Sequence, residues 1–265
     1  MSVAEPSFPI QSRLFSEFPA VSLTEPFLYR VICSSSHSAI LRLRNSKPPA
    51  FFHSAVRHLF LDGVSKHDWS VEDANDILRL CTGVRNFAAI GKFSNPGLLP
   101  LLANMQVQRI SVCLEVLFGG YDSIDLGHSA FLSITHIDIF DAIVPGETKI
   151  CAYLPALPAL THLCLNNNVP WDVLQNFLTV CSRLELLVVL WHETIRAYGP
   201  EDWLQDSPIR DMRFVATVFG DYWQEWEQGA RDLPHFWTMA DDFVAQKRCG
   251  AIPGTKLTFV QWYLC

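Results

Sequence analysis

A six-residue pattern, apolar-x-x-apolar-x-apolar, returns seven times along this 265-residue chain. The copies begin at Val56, Val84, Val107, Ile134, Leu160, Leu184 and Ile209, with first positions 23 to 28 residues apart. A period in the twenties predicts a stack of similar units, each one strand followed by a helix or a loop. Strand side chains alternate between faces, so positions four and six of each copy share a side. These pairs are Leu59 and Leu61, Phe87 and Ala89, Ile110 and Val112, Ile137 and Ile139, Leu163 and Leu165, Leu187 and Val189, and Met212 and Phe214. One unit cannot bury that side by itself. Stacked neighbours can, and each fully buried large aliphatic then contributes ~1.5–3 kcal/mol. An ordinary α/β domain with parallel strands is the alternative, and seven copies at such even spacing argue against it.

The spacing is that of leucine-rich repeats. The expected fold class is therefore α/β: an irregular leucine-rich-repeat solenoid, with parallel strands on the concave side and helices and loops on the convex side. It is irregular because only the fifth copy, Leu160-x-x-Leu163-x-Leu165-x-x-Asn168, ends on the asparagine that bonds turn backbone. The others place Val64, Lys92, Glu115, Ala142, His192 and Thr217 there. Ser70-Val71-Glu72-Asp73 reads as a capping box, with Ala74, Ile77, Leu78 and Cys81 at helical spacing behind it. Pro96 predicts a helix through Met105, and Pro170 one over Trp171 to Cys181. Segments 119–130 and 141–155 bear Gly and Pro and read as loops. The domain division is 1–50 as an N-terminal segment, 51–216 as the solenoid, and 217–265 as a C-terminal cap and tail. The cap has helices over Asp221–Ala230 and His235–Lys247, as terminal units of solenoids need to close the apolar core. Trp223, Trp226 and Trp237 read as core packing of that cap, or alternatively as an exposed aromatic docking site.

Composition narrows the function. Hydrophobic residues make up 49% and charged residues 18%, which suits a packed interior rather than disorder. A net charge of -7 argues against a general nucleic-acid surface. The apolar run Leu186–Trp191 is far too short to span a bilayer, and the N-terminus has no charged-then-apolar signal segment. None of the eight cysteines forms a Cys-x-x-Cys pair, so they read as buried thiols in a reducing setting, cytoplasmic or nuclear.

Three stretches resemble the F-box and leucine-rich-repeat-like proteins abundant in mushroom-forming fungi. Glu25-Pro26-Phe27-Leu28-Tyr29-Arg30 is similar to the family segment just after the F-box. Ala55 to Asp62 is similar to its first repeat strand. Asp221 to Arg231, with Trp226-Glu227 ahead of Gly229-Ala230-Arg231 and then Phe236-Trp237 and Ala240, is similar to the family tail. The likeness covers roughly residues 20–250. It implies the substrate-recognition part of an F-box-type ubiquitin-ligase receptor, partnered by a Skp-type adaptor and a cullin. A complete F-box is not recognisable ahead of Pro26, where Pro6, Pro9 and Pro19 interrupt the chain. Phe15 to Pro19 reads as a remnant of that module, so adaptor docking is the weaker half of the expectation.

In such a stack, positions three, five and seven face the concave side, where solenoids bind partners. The middle units place Arg109, His136, Asp138, His162 and Asn166 there, a polar patch expected to contact a protein ligand. His136 and His162 occupy equivalent positions in adjacent units, about one strand spacing of 5 Å apart. Zinc needs three or four converging ligands, so the reading is no metal and no cofactor. The chain carries no Gly-x-Ser-x-Gly elbow and no phosphate-binding glycine loop, and Arg196 stands where a zinc protease would have its second histidine after His192-Glu193. The expectation is therefore a protein-binding module and not an enzyme. Its alternative is a ligase-independent scaffold built on the same solenoid.

Overall fold

The positions that repeat in the sequence become rungs of a ladder in space. The computed structural model describes residues 26–33, 37–64, 69–143, 149–166, 169–193 and 200–259. Phe15 to Pro19, Glu25 and Asn168 lie outside the described residues. Among the described residues nine strands form one sheet, every pair parallel and in chain order. Strand β1 (Val31–Cys33) leads through helices α1 (His37–Ser46) and α2 (Pro49–Ala55) to β2 (His58–Gly63). Helix α3 (Val71–Leu80) precedes β3 (Asn86–Gly91), and a tight turn with α4 (Leu99–Leu102) precedes β4 (Arg109–Val112). Helix α5 (Leu114–Phe118) precedes β5 (His136–Ile139), α6 (Lys149–Tyr153) precedes β6 (His162–Asn166), and α7 (Trp171–Val180) precedes β7 (Leu186–His192). Then come α8 (Pro200–Gln205), β8 (Phe214–Phe219), α9 (Tyr222–Ala230), α10 (Phe236–Arg248) and β9 (Thr258–Phe259). This is an α/β architecture with an all-parallel sheet, compatible with an α/β solenoid.

Third positions of six consecutive copies align as His58, Asn86, Arg109, His136, His162 and Leu186. The residue just before each strand fixes that register. The carbonyl of Arg57 accepts the N–H groups of both Arg85 and Asn86, and that of Arg85 accepts those of Gln108 and Arg109. Each step thus repeats the same pair of bonds, and the next strand cannot slip without breaking both.

The seventh copy departs from the predicted register. Leu187 pairs with Phe214 rather than Met212, so the strand starts two residues later and Met212 is left at the surface. The cause is local. The Asp211 carboxylate accepts from the Arg213 backbone N–H at 2.9 Å and from its guanidinium at 2.6 Å. Arg213 also donates to the carbonyls of Leu184 and Leu178. These bonds hold Asp211 to Arg213 in a turn before the ladder. A slip of two preserves side-chain direction, so the apolar face survives intact.

Positions four and six are fully buried along the sheet, from Leu59 and Leu61 to Leu187 and Val189, and pack against the connecting helices. Helix α3 buries Ala74, Ile77 and Leu78, and its N-terminus is capped by Ser70, whose hydroxyl accepts from Asp73 N–H at 3.0 Å. Helix α7 starts after Pro170 and buries Val173, Leu174, Phe177 and Leu178 on the same side. The helix expected after Pro96 is shorter, ending at Leu102, and short helical turns lie in 119–130 and in 149–155, while 144–148 lie outside the described residues.

The C-terminal helices are placed differently from expectation. A cap would close the end of the stack. Helices α9 and α10 instead form a hairpin across the other face of the sheet. Trp226 and Ala230 of α9 pack on Cys33, Phe60 and Ala88 near the first strands. Phe236, Trp237, Ala240, Phe243 and Val244 of α10 pack on Cys164, Leu186, Val188 and Val215. The physical reason is that this face is itself apolar at β2, β3 and β6–β8, and a parallel sheet is stable when both faces are covered. The sheet also reaches beyond the expected solenoid of 51–216, since β1 pairs with β2 and β9 with β8. The connection from β8 to β9 carries α9 and α10, which pack on the face of the sheet opposite to the one covered by α3 and α7.

Candidate binding site

The hairpin is held by specific close contacts. Asp221 caps α9 by accepting from Trp223 N–H at 2.8 Å. Buried Glu225 accepts from Phe236 N–H at 2.8 Å, placing a carboxylate at the start of α10 where the helix dipole favours it. Gly229 lies against His235 so tightly that a Cβ would sit 2.5 Å from the imidazole. Arg231 bonds Glu227 at 2.6 Å. At the far end, Asp232 takes a left-handed conformation (φ 58°) and pairs with Arg30 at 3.3 Å. The Trp223 ring stacks on Phe60, with centroids 4.6 Å apart. Trp223, Trp226 and Trp237 therefore work in packing within the chain.

Under this hairpin lie three of the five residues expected to bind a partner. Asp138 is 4% exposed and accepts from Ser111 Oγ at 2.8 Å and from the Tyr222 hydroxyl. Burial pushes its carboxyl up to about 6, against the lowering effect of those two bonds. The phenol of Tyr222 is raised well above its usual value by burial and the adjacent carboxylate. His162 is 8% exposed; its Nδ1 faces Thr161 Oγ1 at 2.7 Å and its Nε2 faces Asp241 of α10 at 3.1 Å. The His136 ring stacks on it with centroids 4.0 Å apart, and Trp237 meets both rings edge-on. Burial, with His162 and Arg109 adding to it, drives His136 down to about 2, so it is neutral. The structure thus brings His136, Asp138 and His162 together, but as a buried polar seam fastening α9 and α10 to the sheet. That corrects their placement on an open concave face. Asn166 is half-buried and donates to Phe140 O at 3.4 Å. Among the described residues, no group of three or more His, Cys, Asp or Glu side chains is placed to hold a metal ion.

Arg109 is the exception. It is half-exposed at the edge of the hairpin and opens onto a cleft of about 540 Å³. The cleft lies beside the starts of β2–β4, bounded by Arg30, Arg57, Arg85 and Arg109, with His58 and Asn86 within it. Asp232 is the one acid among its lining residues. Arg30, Arg57 and Arg85 each immediately precede a strand and so stand in register across three units. Arg57 Nη1 is committed to the carbonyls of His53, Val56 and Gly83 at 2.8 to 3.2 Å. The guanidiniums of Arg85 and Arg109 have no hydrogen bond or ion pair among the described residues. Neither ring nitrogen of His58 has a hydrogen-bond partner among the described residues. Burial, then the charges of Arg30, Arg109 and Arg57, lower His58 to about 4, opposed by Asp232.

Three of these arginines escaped the sequence reading, which looked at positions three, five and seven. The signal was present one residue earlier, where arginine recurs before three successive strands. Comparison with family models, curated proteins and solved structures finds no match to this chain.

Proposed function

We propose that the chain is a protein-interaction module, an irregular leucine-rich-repeat solenoid acting as the substrate-recognition part of an F-box-type ubiquitin-ligase receptor. The observation that carries the interaction half is the cleft, where the guanidiniums of Arg85 and Arg109, unpaired among the described residues, stand within reach of a partner. Guanidinium groups stay protonated and serve recognition through fixed donors rather than proton transfer, which favours binding over catalysis. The receptor half rests on the resemblance of Glu25–Arg30, Ala55–Asp62 and Asp221–Arg231 with Phe236, Trp237 and Ala240. Within the last of these, the structure gives Gly229, Ala230 and Arg231 separate packing duties. The partner surface in this reading shifts from the covered seam of His136, Asp138 and His162 to the arginine cleft, with Arg109 common to both.

Affinity purification of the tagged chain from its native cells, followed by mass spectrometry, tests the proposal. A Skp-type adaptor and a cullin among the bound proteins support the receptor reading. Other proteins without that pair point to a ligase-independent scaffold, and recovery of no protein above background contradicts both.

A further inference from the structure

The arginine cleft has a geometry specific enough to name the chemistry of its ligand. We propose that it binds an extended acidic peptide segment, with side-chain carboxylates seated on Arg85 and Arg109. This rests on the reading of the chain as a partner-binding solenoid and specifies what that partner presents.

Neighbouring strands are ~4.8 Å apart, so Arg30, Arg57 and Arg85 stand in a row that reaches Gln108 on the fourth strand, and with Arg109 one residue along that strand the four cations lie across about 14 Å. An extended peptide covers that length in about four residues. A single small anion reaches only part of the row. Planar guanidiniums offer paired N–H donors that match a carboxylate in two-pronged fashion, and charged hydrogen bonds of this kind are the strong ones. Arg57 is already pinned to three backbone carbonyls, and Arg30 is shared with Asp232. They supply field, while Arg85 and Arg109 supply free donors. The chain as a whole is acidic, with a net charge of -7, which repels a long polyanion while leaving room for a short acidic stretch at the cationic cleft. Asp232 at the rim sets a limit on the same side: a ligand crowding it with negative charge is disfavoured.

The test uses the purified full chain and fluorescence anisotropy at low and moderate salt. The probes are a fluorescein-labelled peptide with four consecutive Asp and Glu residues, its Asn/Gln counterpart, the same neutral peptide carrying one phosphoserine, and pyrophosphate as competitor. Binding of the acidic peptide, weakened by salt, is expected, with no binding of the neutral one. Arg85→Gln and Arg109→Gln are each expected to weaken it about tenfold. Arg79→Gln, on the outer face of α3 beside Asp76, is expected to leave it unchanged, and circular dichroism of all three variants should match the parent. No binding of the acidic peptide overturns the proposal, as does equal binding by the Arg85 and Arg109 variants. Binding of the phosphoserine peptide or pyrophosphate alone overturns it in favour of a phosphoryl site. Bound proteins recovered from cells by a chain that ignores the acidic peptide would leave the interaction module standing and remove only this ligand.

Discussion

At the scale of single residues, the account turns on polar groups buried between the sheet and the hairpin. Tyr222 and Ser111 both donate to Oδ2 of the buried Asp138 carboxylate, while its Oδ1 has no hydrogen-bond partner among the described residues. Tyr222→Phe leaves that acceptor one donor short and is expected to cost about 1–3 kcal/mol. Urea unfolding checks it: the midpoint should fall while the slope stays the same, and an unchanged midpoint would show that the bond carries no stability. The histidines set the response to acid. His58, His136 and His235 are held at about 4, 2 and 4, below the usual 6.5, chiefly by burial. Such groups contribute stability that is complete above pH 6.5 and is lost as pH falls towards their folded values, because the unfolded chain binds the protons first. Asp138, raised to about 6, works the other way: its contribution is present below about 3.8 and lost as pH rises through 6. Three histidines outweigh one carboxyl between pH 6.5 and 4. The melting temperature followed by circular dichroism is expected to drop across that window, and a flat or rising profile would contradict the buried neutral histidines.

At the scale of elements, the strand ladder was legible in the sequence and the seat of the hairpin was not. Six of the seven copies sit in the register that their spacing predicts, because positions four and six must be buried together. Leu163 is the plainest case, fully buried as the second residue of β6. Leu163→Asp places an unpaired charge there and is expected to prevent folding or to cost several kcal/mol. Soluble protein with unchanged melting would refute the register. The seventh copy misled because Met212 satisfies the apolar pattern as well as Phe214 does, and only the Asp211–Arg213 turn chooses between them. The hairpin had a signal too. Phe60, Ala88, Leu186, Val188 and Leu190 occupy the odd positions, and a face so apolar at both ends requires a cover, whatever polar residues lie at its centre. Gly229 tests the seating directly. Gly229→Val drives a branched side chain into the His235 ring and is expected to lower stability by about 1–3 kcal/mol. The same change at Gly250, where a Cβ meets nothing within 4 Å but φ is 76°, reports the backbone cost alone.

At the scale of the whole molecule, the hairpin converts a stack of neighbour contacts into a closed unit. Repeat stacks hold each unit only through its neighbours. Here α9 reaches back to Cys33 and Phe60 while α10 fastens to β6–β8, so the two ends of the sheet are tied through one element. Buried Lys247 of α10 adds to that tie by donating to Phe214 O at 2.8 Å. The same arrangement leaves the arginine cleft at the edge of the hairpin as the accessible charged surface near the original patch. No helix among the described residues is long and apolar enough to cross a membrane. The odd-position face is covered from within the chain, and cysteine labelling reads that cover. Cys33 lies under α9 and Cys164 under α10, both buried, whereas Cys249 is exposed. Native protein treated briefly with iodoacetamide and mapped by peptide mass spectrometry is expected to carry the label at Cys249 and to spare Cys33 and Cys164 until denaturant is added. Labelling of Cys33 and Cys164 at the rate of Cys249 would mean an open face, and would contradict the account.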